Sequence, residues 1–145
     1  MNPDEFLKTA SRLALSRASG AADFRSSISR AYYAVYHLAR QVLNDQMQFY
    51  CRSGGNEHQW VHRHYANCTN ADARDTGRVI QNMHDARKNA DYDLSDADVE
   101  TEAAARLALE RAEEVKHLLA ACINDTNLAA VKAEMIRYRK SASVQ

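Results

Sequence analysis

Residues 21–44, AADFRSSISRAYYAVYHLARQVLN, decide the fold class. Within them Phe24, Ile28, Ala31, Val35, Leu38 and Val42 recur at intervals of four, three, four, three and four. That spacing lines apolar side chains along one stripe of an α-helix. A stripe of this kind is stable in water only when other helices cover it, so the rest of the chain must supply them.

Upstream, Asn2-Pro3-Asp4-Glu5 reads as a helix start, with Asn2 as the cap, Pro3 at the first helical position and Glu5 at capping-box spacing. The first helix is expected to run to about Ala18, carrying Phe6, Ala10, Leu13 and Ala14, with Ser19-Gly20 as its stop. Downstream, Asp45–Asn56 lacks a sustained period and contains Ser53-Gly54-Gly55-Asn56, which reads as a loop. A short helix from about Glu57 to Cys68 presents Trp60, Val61, His64 and Tyr65, and a longer one from about Ala71 to Ala90 buries Val79, Ile80, Met83 and Ala86. Gly77 is expected to weaken the middle of the latter. After the turn Asp91-Tyr92-Asp93-Leu94, Ser95 reads as the cap of a long helix reaching about Ile123 with Val99, Leu107, Val115, Leu118 and Cys122 among its apolar residues. Asn124-Asp125-Thr126-Asn127 breaks it, and a last helix, Leu128–Arg139, precedes a frayed tail over 140–145. The expectation is an all-α, antiparallel up-and-down bundle of four to five main helices, one domain over 1–145 with its core at about 3–123.

Composition agrees: four Gly and one Pro in 145 residues leave few turn signals for a many-stranded β fold. No apolar run approaches the roughly 18 residues of a membrane span, and the polar start has no leader pattern, so a soluble cytoplasmic protein without membrane contact is expected. Cys51, Cys68 and Cys122 are odd in number and lack a Cys-x-x-Cys spacing, which suggests reduced thiols. Formal charge is zero but unevenly placed: 1–70 hold eight Lys/Arg against five Asp/Glu, 96–127 three against eight, and 128–145 four against one. Such balance excludes a non-specific nucleic-acid coat and leaves room for a local basic site.

Opposite the stripe of the second helix fall Arg30, Tyr33, Tyr36, His37 and Arg40. Arg30 and His37 are seven residues apart and nearly in line, about 10 Å between Cα atoms. A guanidinium, an imidazole and two phenols can hold a phosphodiester, stack a base and move a proton near neutral pH. The plain alternative is a solvated or dimer-facing side whose Tyr rings pack under long charged side chains. His58 and His62 have a four-residue spacing that can grip a metal, but no matching acidic or Cys ligands accompany them, so neither metal nor cofactor is assigned. With His64, Arg52, Arg63 and the Gly54-Gly55 loop, this stretch is a second candidate for phosphate contacts. Arg87 and Asp91, four apart, are placed to pair as a clamp on the Asp91-Tyr92 turn. No Gly-rich phosphate loop is present, so kinase and hydrolase readings have no support.

Ser29-Arg30-Ala31-Tyr32-Tyr33-Ala34-Val35-Tyr36-His37-Leu38-Ala39-Arg40, followed by Ala86-Arg87-Lys88-Asn89-Ala90-Asp91-Tyr92-Asp93, resembles the two signature blocks of the HEPN family (higher eukaryotes and prokaryotes nucleotide-binding). Their order and separation match over about residues 5–120. The resemblance implies a helical bundle that commonly forms a homodimer and is often encoded beside a minimal nucleotidyltransferase in toxin–antitoxin pairs. Active members are metal-independent endoribonucleases with an Arg, four to six residues, then a His, and Arg30 and His37 enclose six. Carried onto these positions, His37 is the general base on a ribose 2′-OH and Arg30 stabilises charge on the phosphate, with Tyr33, Tyr36, Arg40, His58 and His62 as substrate contacts. The same resemblance packs Tyr92 into the bundle and brings Arg87 to the second helix. Position 31, where active members often carry a polar residue, is Ala. Three readings therefore stay open: an RNA-cleaving toxin, a non-catalytic HEPN module that binds a nucleotide or a nucleotidyltransferase, and a dimeric helical scaffold.

Overall fold

In the computed structural model, which describes residues 1–51 and 55–143, Ala21–Asp45 forms a helix of 25 residues that is buried on most of its circumference. This helix, α2, is the axis of the molecule. Around it pack α1 (Asp4–Leu15), α3 (Glu57–Ala66), α4 (Ala71–Tyr92) and α5 (Glu102–Cys122), while α6 (Leu128–Ser143) lies against α3. A single 3-10 turn, Ala97–Glu100, joins α4 to α5. The fold is an all-α bundle, and no helix among the described residues is long and apolar enough to cross a membrane.

The stripe read from the sequence is only part of the buried surface of α2. Ile28, Ala31 and Val35 are buried as expected, but so are Arg25, Ser27, Ser29, Tyr32, Tyr36, Ala39 and Leu43. Four helices share α2 as a neighbour, so the side opposite the stripe is covered too. Polar groups on it are satisfied locally: Ser27 Oγ donates to the Ala10 carbonyl at 2.8 Å, and Tyr65 Oη donates to the Ala39 carbonyl at 2.7 Å. Val61, Val79, Ile80, Val115, Val131 and Met135 complete the core, each aliphatic side chain contributing about 1.5–3 kcal/mol.

Several boundaries differ from the sequence reading, each for a local reason. Asn2 does accept the Asp4 N–H at 3.0 Å, but α1 stops at Leu15, where the Ser19 hydroxyl folds back onto the Leu13 carbonyl at 2.5 Å. Ser95 caps no helix. Asp96 caps the 3-10 turn through the Asp98 N–H, and Thr101 caps α5 through the Ala104 N–H at 3.1 Å, so α5 begins at Glu102. The break lets Val99 enter the core and Glu100 reach Arg25. At the other end α6 continues to Ser143 rather than ending at Arg139.

Gly77 is a requirement rather than a weakness. A Cβ there would lie 2.4 Å from the Ala66 backbone nitrogen, so only glycine lets α4 approach the end of α3 this closely.

Candidate functional site

Two buried arginines tie α4 to α2. Arg25 sends its guanidinium into the end of α4, with Nη1 donating to the carbonyls of Asn89, Ala90 and Asp93 at 3.3, 3.0 and 2.9 Å. Its Nη2 donates to the Asp96 carbonyl at 2.9 Å, and Glu100 Oε1 receives Nε and Nη2 at 2.9 and 2.7 Å. A cation at the carbonyl end of a helix also opposes the helix dipole favourably. Arg87, on α4, lies 5.5 and 5.6 Å from the ring centres of Tyr32 and Tyr33 and pairs with Asp91 at 3.4 Å. Asp91 in turn accepts from the Ser29 hydroxyl at 3.2 Å.

These contacts correct the expectation for the second block. Asp91 and Tyr92 are the last residues of α4, not a turn, and Tyr92 is 77% exposed instead of packed in the bundle. Arg87 and Ala90 define the inner face of α4, and position 92 lies about 200° further round the helix than Ala90. Arg87 meets α2 as expected.

The first block supplies an outward surface beside this clamp. Arg30 is exposed, makes no ion pair among the described residues, and lies 5.9 Å from the centre of the Phe6 ring. His37 is half-buried and stacks on the same ring at 5.6 Å, while neither of its nitrogens has a hydrogen-bond partner among the described residues. Burial, and then the Arg40 charge, push its pKa below the usual histidine value. The imidazole is therefore neutral at pH 7, with a lone pair to accept a proton. Tyr33 is half-buried, its ring 6.3 Å from His37. Tyr36, expected on the open side, is only 4% exposed: α3 covers it, Glu57 Oε2 accepts its hydroxyl at 3.2 Å, and burial raises its pKa to about 12. Arg40 shares the same Glu57 oxygen at 3.4 Å.

Between α2, α3 and α4 lies a set of stacked rings. His58 packs on Tyr36 at 4.5 Å and on His84 at 5.1 Å, and its Nδ1 is 2.5 Å from the Tyr32 hydroxyl. Burial raises the Tyr32 pKa and lowers that of His58, so Tyr32 keeps its proton and donates it to a neutral imidazole. His84, brought to about 4 by burial and by His58, Arg87 and Lys88, is neutral as well. His62, a candidate for substrate contact, is buried, its Nε2 without a hydrogen-bond partner among the described residues, and offers little surface to a substrate.

Of the expected site residues, the structure gathers Arg30, Tyr33, Tyr36, His37, Arg40 and His58 on one side of α2, with Arg87 and Asp91 behind them. His84 and Tyr32 escaped the sequence reading. The signal for His84 was available, since it sits three residues before Arg87 and so on the same face of α4. Tyr32 was hidden because its position falls between the stripe and the opposite side. Arg52, Ser53 and Gly54 lie outside the described residues. Among the described residues, no three His, Cys, Asp or Glu side chains gather as a metal-holding group. No family model, curated protein or solved structure matches this chain.

Proposed function

We propose that this chain is a HEPN-like protein that cuts single-stranded RNA without a metal ion, as the toxin of a pair with a minimal nucleotidyltransferase. The observation that carries the reading is the pairing of an exposed, unneutralised Arg30 with a neutral, unpartnered imidazole at His37, both against Phe6. In the reaction, a His37 nitrogen takes the proton from a ribose 2′-OH, and the 2′-oxygen attacks the adjacent phosphorus. Arg30 stabilises the added negative charge on the pentavalent phosphate. The bond to the 5′-oxygen then breaks, that oxygen leaves with a proton from water or a second acid, and a 2′,3′-cyclic phosphate remains. A homodimer supplies the enclosing cleft, with Tyr33 and Arg40 flanking the strand. The His58–Tyr32 contact backs this surface, setting the place of Tyr36 and through it the edge of His37, 5.0 Å away. The toxin and partner half of the proposal rests on the resemblance of the two sequence blocks.

His37→Ala should abolish cleavage in EDTA with helicity unchanged. A variant that still cuts at the wild-type rate removes the assignment. A second reading, a non-catalytic HEPN module, is favoured by the stacking of Phe6 on His37, which covers one face of the imidazole. It calls for nucleotide binding, or co-purification with a nucleotidyltransferase, in the absence of RNA turnover.

A further inference from the structure

On the opposite flank of α3 from His58 lies an open groove of about 500 Å³, between α3, α6 and the segment after α2. Trp60, Arg63, Tyr138, Arg139 and Tyr50 line it, and none of the described lining residues is acidic. Tyr50 is 65% exposed, and Arg63 is exposed with no carboxylate in ion-pair range among the described residues. Arg139 is held in place by groups that carry no negative charge. Its guanidinium lies 4.6 Å from the centre of the Phe49 ring, and Nη1 donates to His64 Nε2 at 3.1 Å. His64 can accept there only if its proton sits on Nδ1, where it donates to the Trp60 carbonyl at 2.6 Å. Burial lowers the His64 pKa to about 4, which keeps the ring neutral and the arrangement intact at pH 7. Among the described residues Arg139 has this one hydrogen-bond acceptor and no carboxylate in ion-pair range, so a half-buried cation faces the groove. The His64 ring also touches Trp60 at 4.4 Å and Tyr138 at 5.4 Å, fixing both aromatic walls.

An aromatic face in a groove lined by two guanidinium groups and, among the described residues, no carboxylate is the chemistry that takes a base together with its phosphate. We propose that this groove is a second nucleic-acid site, separate from the Arg30–His37 surface, in which a nucleobase stacks on Trp60 while Arg63 and Arg139 hold the adjoining phosphate. His64 is a positioning residue that acts through Arg139. The bound unit is a nucleotide, either free or part of a single strand.

Trp60 is the single tryptophan of the chain, so intrinsic fluorescence reports on this groove directly. The full chain is titrated at pH 7 with AMP in one arm and with a 2′-O-methyl RNA octamer, which cannot be cleaved, in the other. Quenching by the octamer is expected, weakened at least tenfold by Arg63→Gln and by Arg139→Gln and untouched by Arg106→Gln on α5. Each effective loss should lower the log–log salt slope by about 0.7, the contribution of one single-strand phosphate contact. Arg63 is exposed, so its substitution tests the site even where Arg139→Gln perturbs folding. Equal quenching by AMP assigns the groove to free nucleotides, and quenching by the octamer alone assigns it to a strand. Absence of quenching in both arms, or quenching indifferent to Arg63→Gln, overturns the proposal. Because the octamer cannot be cut, loss of RNA cleavage with quenching intact counts only against the role of His37.

Discussion

Replacing Arg25 by Ala removes the fork that fastens α2 to the end of α4 and to the turn before α5. The side chain is 8% exposed and donates to four backbone carbonyls and to the Glu100 carboxylate. Each bond from a charged donor contributes about 1.5–3 kcal/mol, but such losses are not additive, and the nearer guide is the 3–5 kcal/mol typical of removing one member of a buried pair. We expect a loss of about 4 kcal/mol, a large share of the 5–15 kcal/mol available to an ordinary domain. At this chain length that corresponds to a fall in Tm of roughly 10–15 °C. Urea unfolding followed by circular dichroism at pH 7 measures it. Arg25→Lys should recover less than half, because one ammonium cannot span acceptors on both sides of the fork. Repetition in 1 M NaCl should leave the difference largely intact, since salt screens buried contacts weakly. A loss under about 1 kcal/mol for Arg25→Ala, or one abolished by salt, would refute the view that this residue joins the two helices.

Other outcomes follow from particular contacts. Gly77→Ala should cost about 1–3 kcal/mol in the same unfolding assay, as overpacking against the Ala66 backbone does, whereas an ordinary exposed helical glycine would gain stability from alanine. For His64 the folded pKa of about 4 lies below the unfolded value of 6.5, so its contribution is present above pH 6.5 and is lost as pH falls toward 4. Between pH 7 and pH 5 about 2 kcal/mol of stability should disappear on this account, and His64→Leu should flatten that part of the profile relative to wild type. Arg87→Ala should destabilise by more than 2 kcal/mol because Asp91 and the Tyr32 and Tyr33 rings lose their common partner, while Tyr92→Ala, at an exposed position, should stay within about 0.5 kcal/mol, and thermal melts separate the two.

How far the chain could be read in advance depended on whether one helix face answered to one neighbour. The period of four and three in α2 gave its span to within one residue, because apolar spacing is a local property. It does not give the number of helices around α2, and so the same spacing puts Tyr36 on the open side although α3 covers it. Cap signals mislead where three candidates stand close together: Ser95, Asp96 and Thr101 all carry oxygen side chains, and only tertiary contacts of Val99 and Glu100 select Thr101 for α5. Gly77 reads as a flaw from propensity alone, since close approach of a distant backbone leaves no trace in its neighbours. The candidate site was legible in the exposed Arg30 and the half-buried His37, which share one helix at a spacing that a ruler can find. Arg25 was silent because its acceptors are mostly backbone carbonyls, which any sequence offers.

The most direct measurement is the incubation of purified wild-type protein with single-stranded RNA in excess EDTA, with the chemistry of the product ends determined. Cleavage that leaves 2′,3′-cyclic phosphates, absent from His37→Ala and strongly reduced in Arg30→Ala at unchanged helicity, is the expected result. Intact RNA after prolonged incubation, or cutting that depends on a divalent ion, contradicts the account.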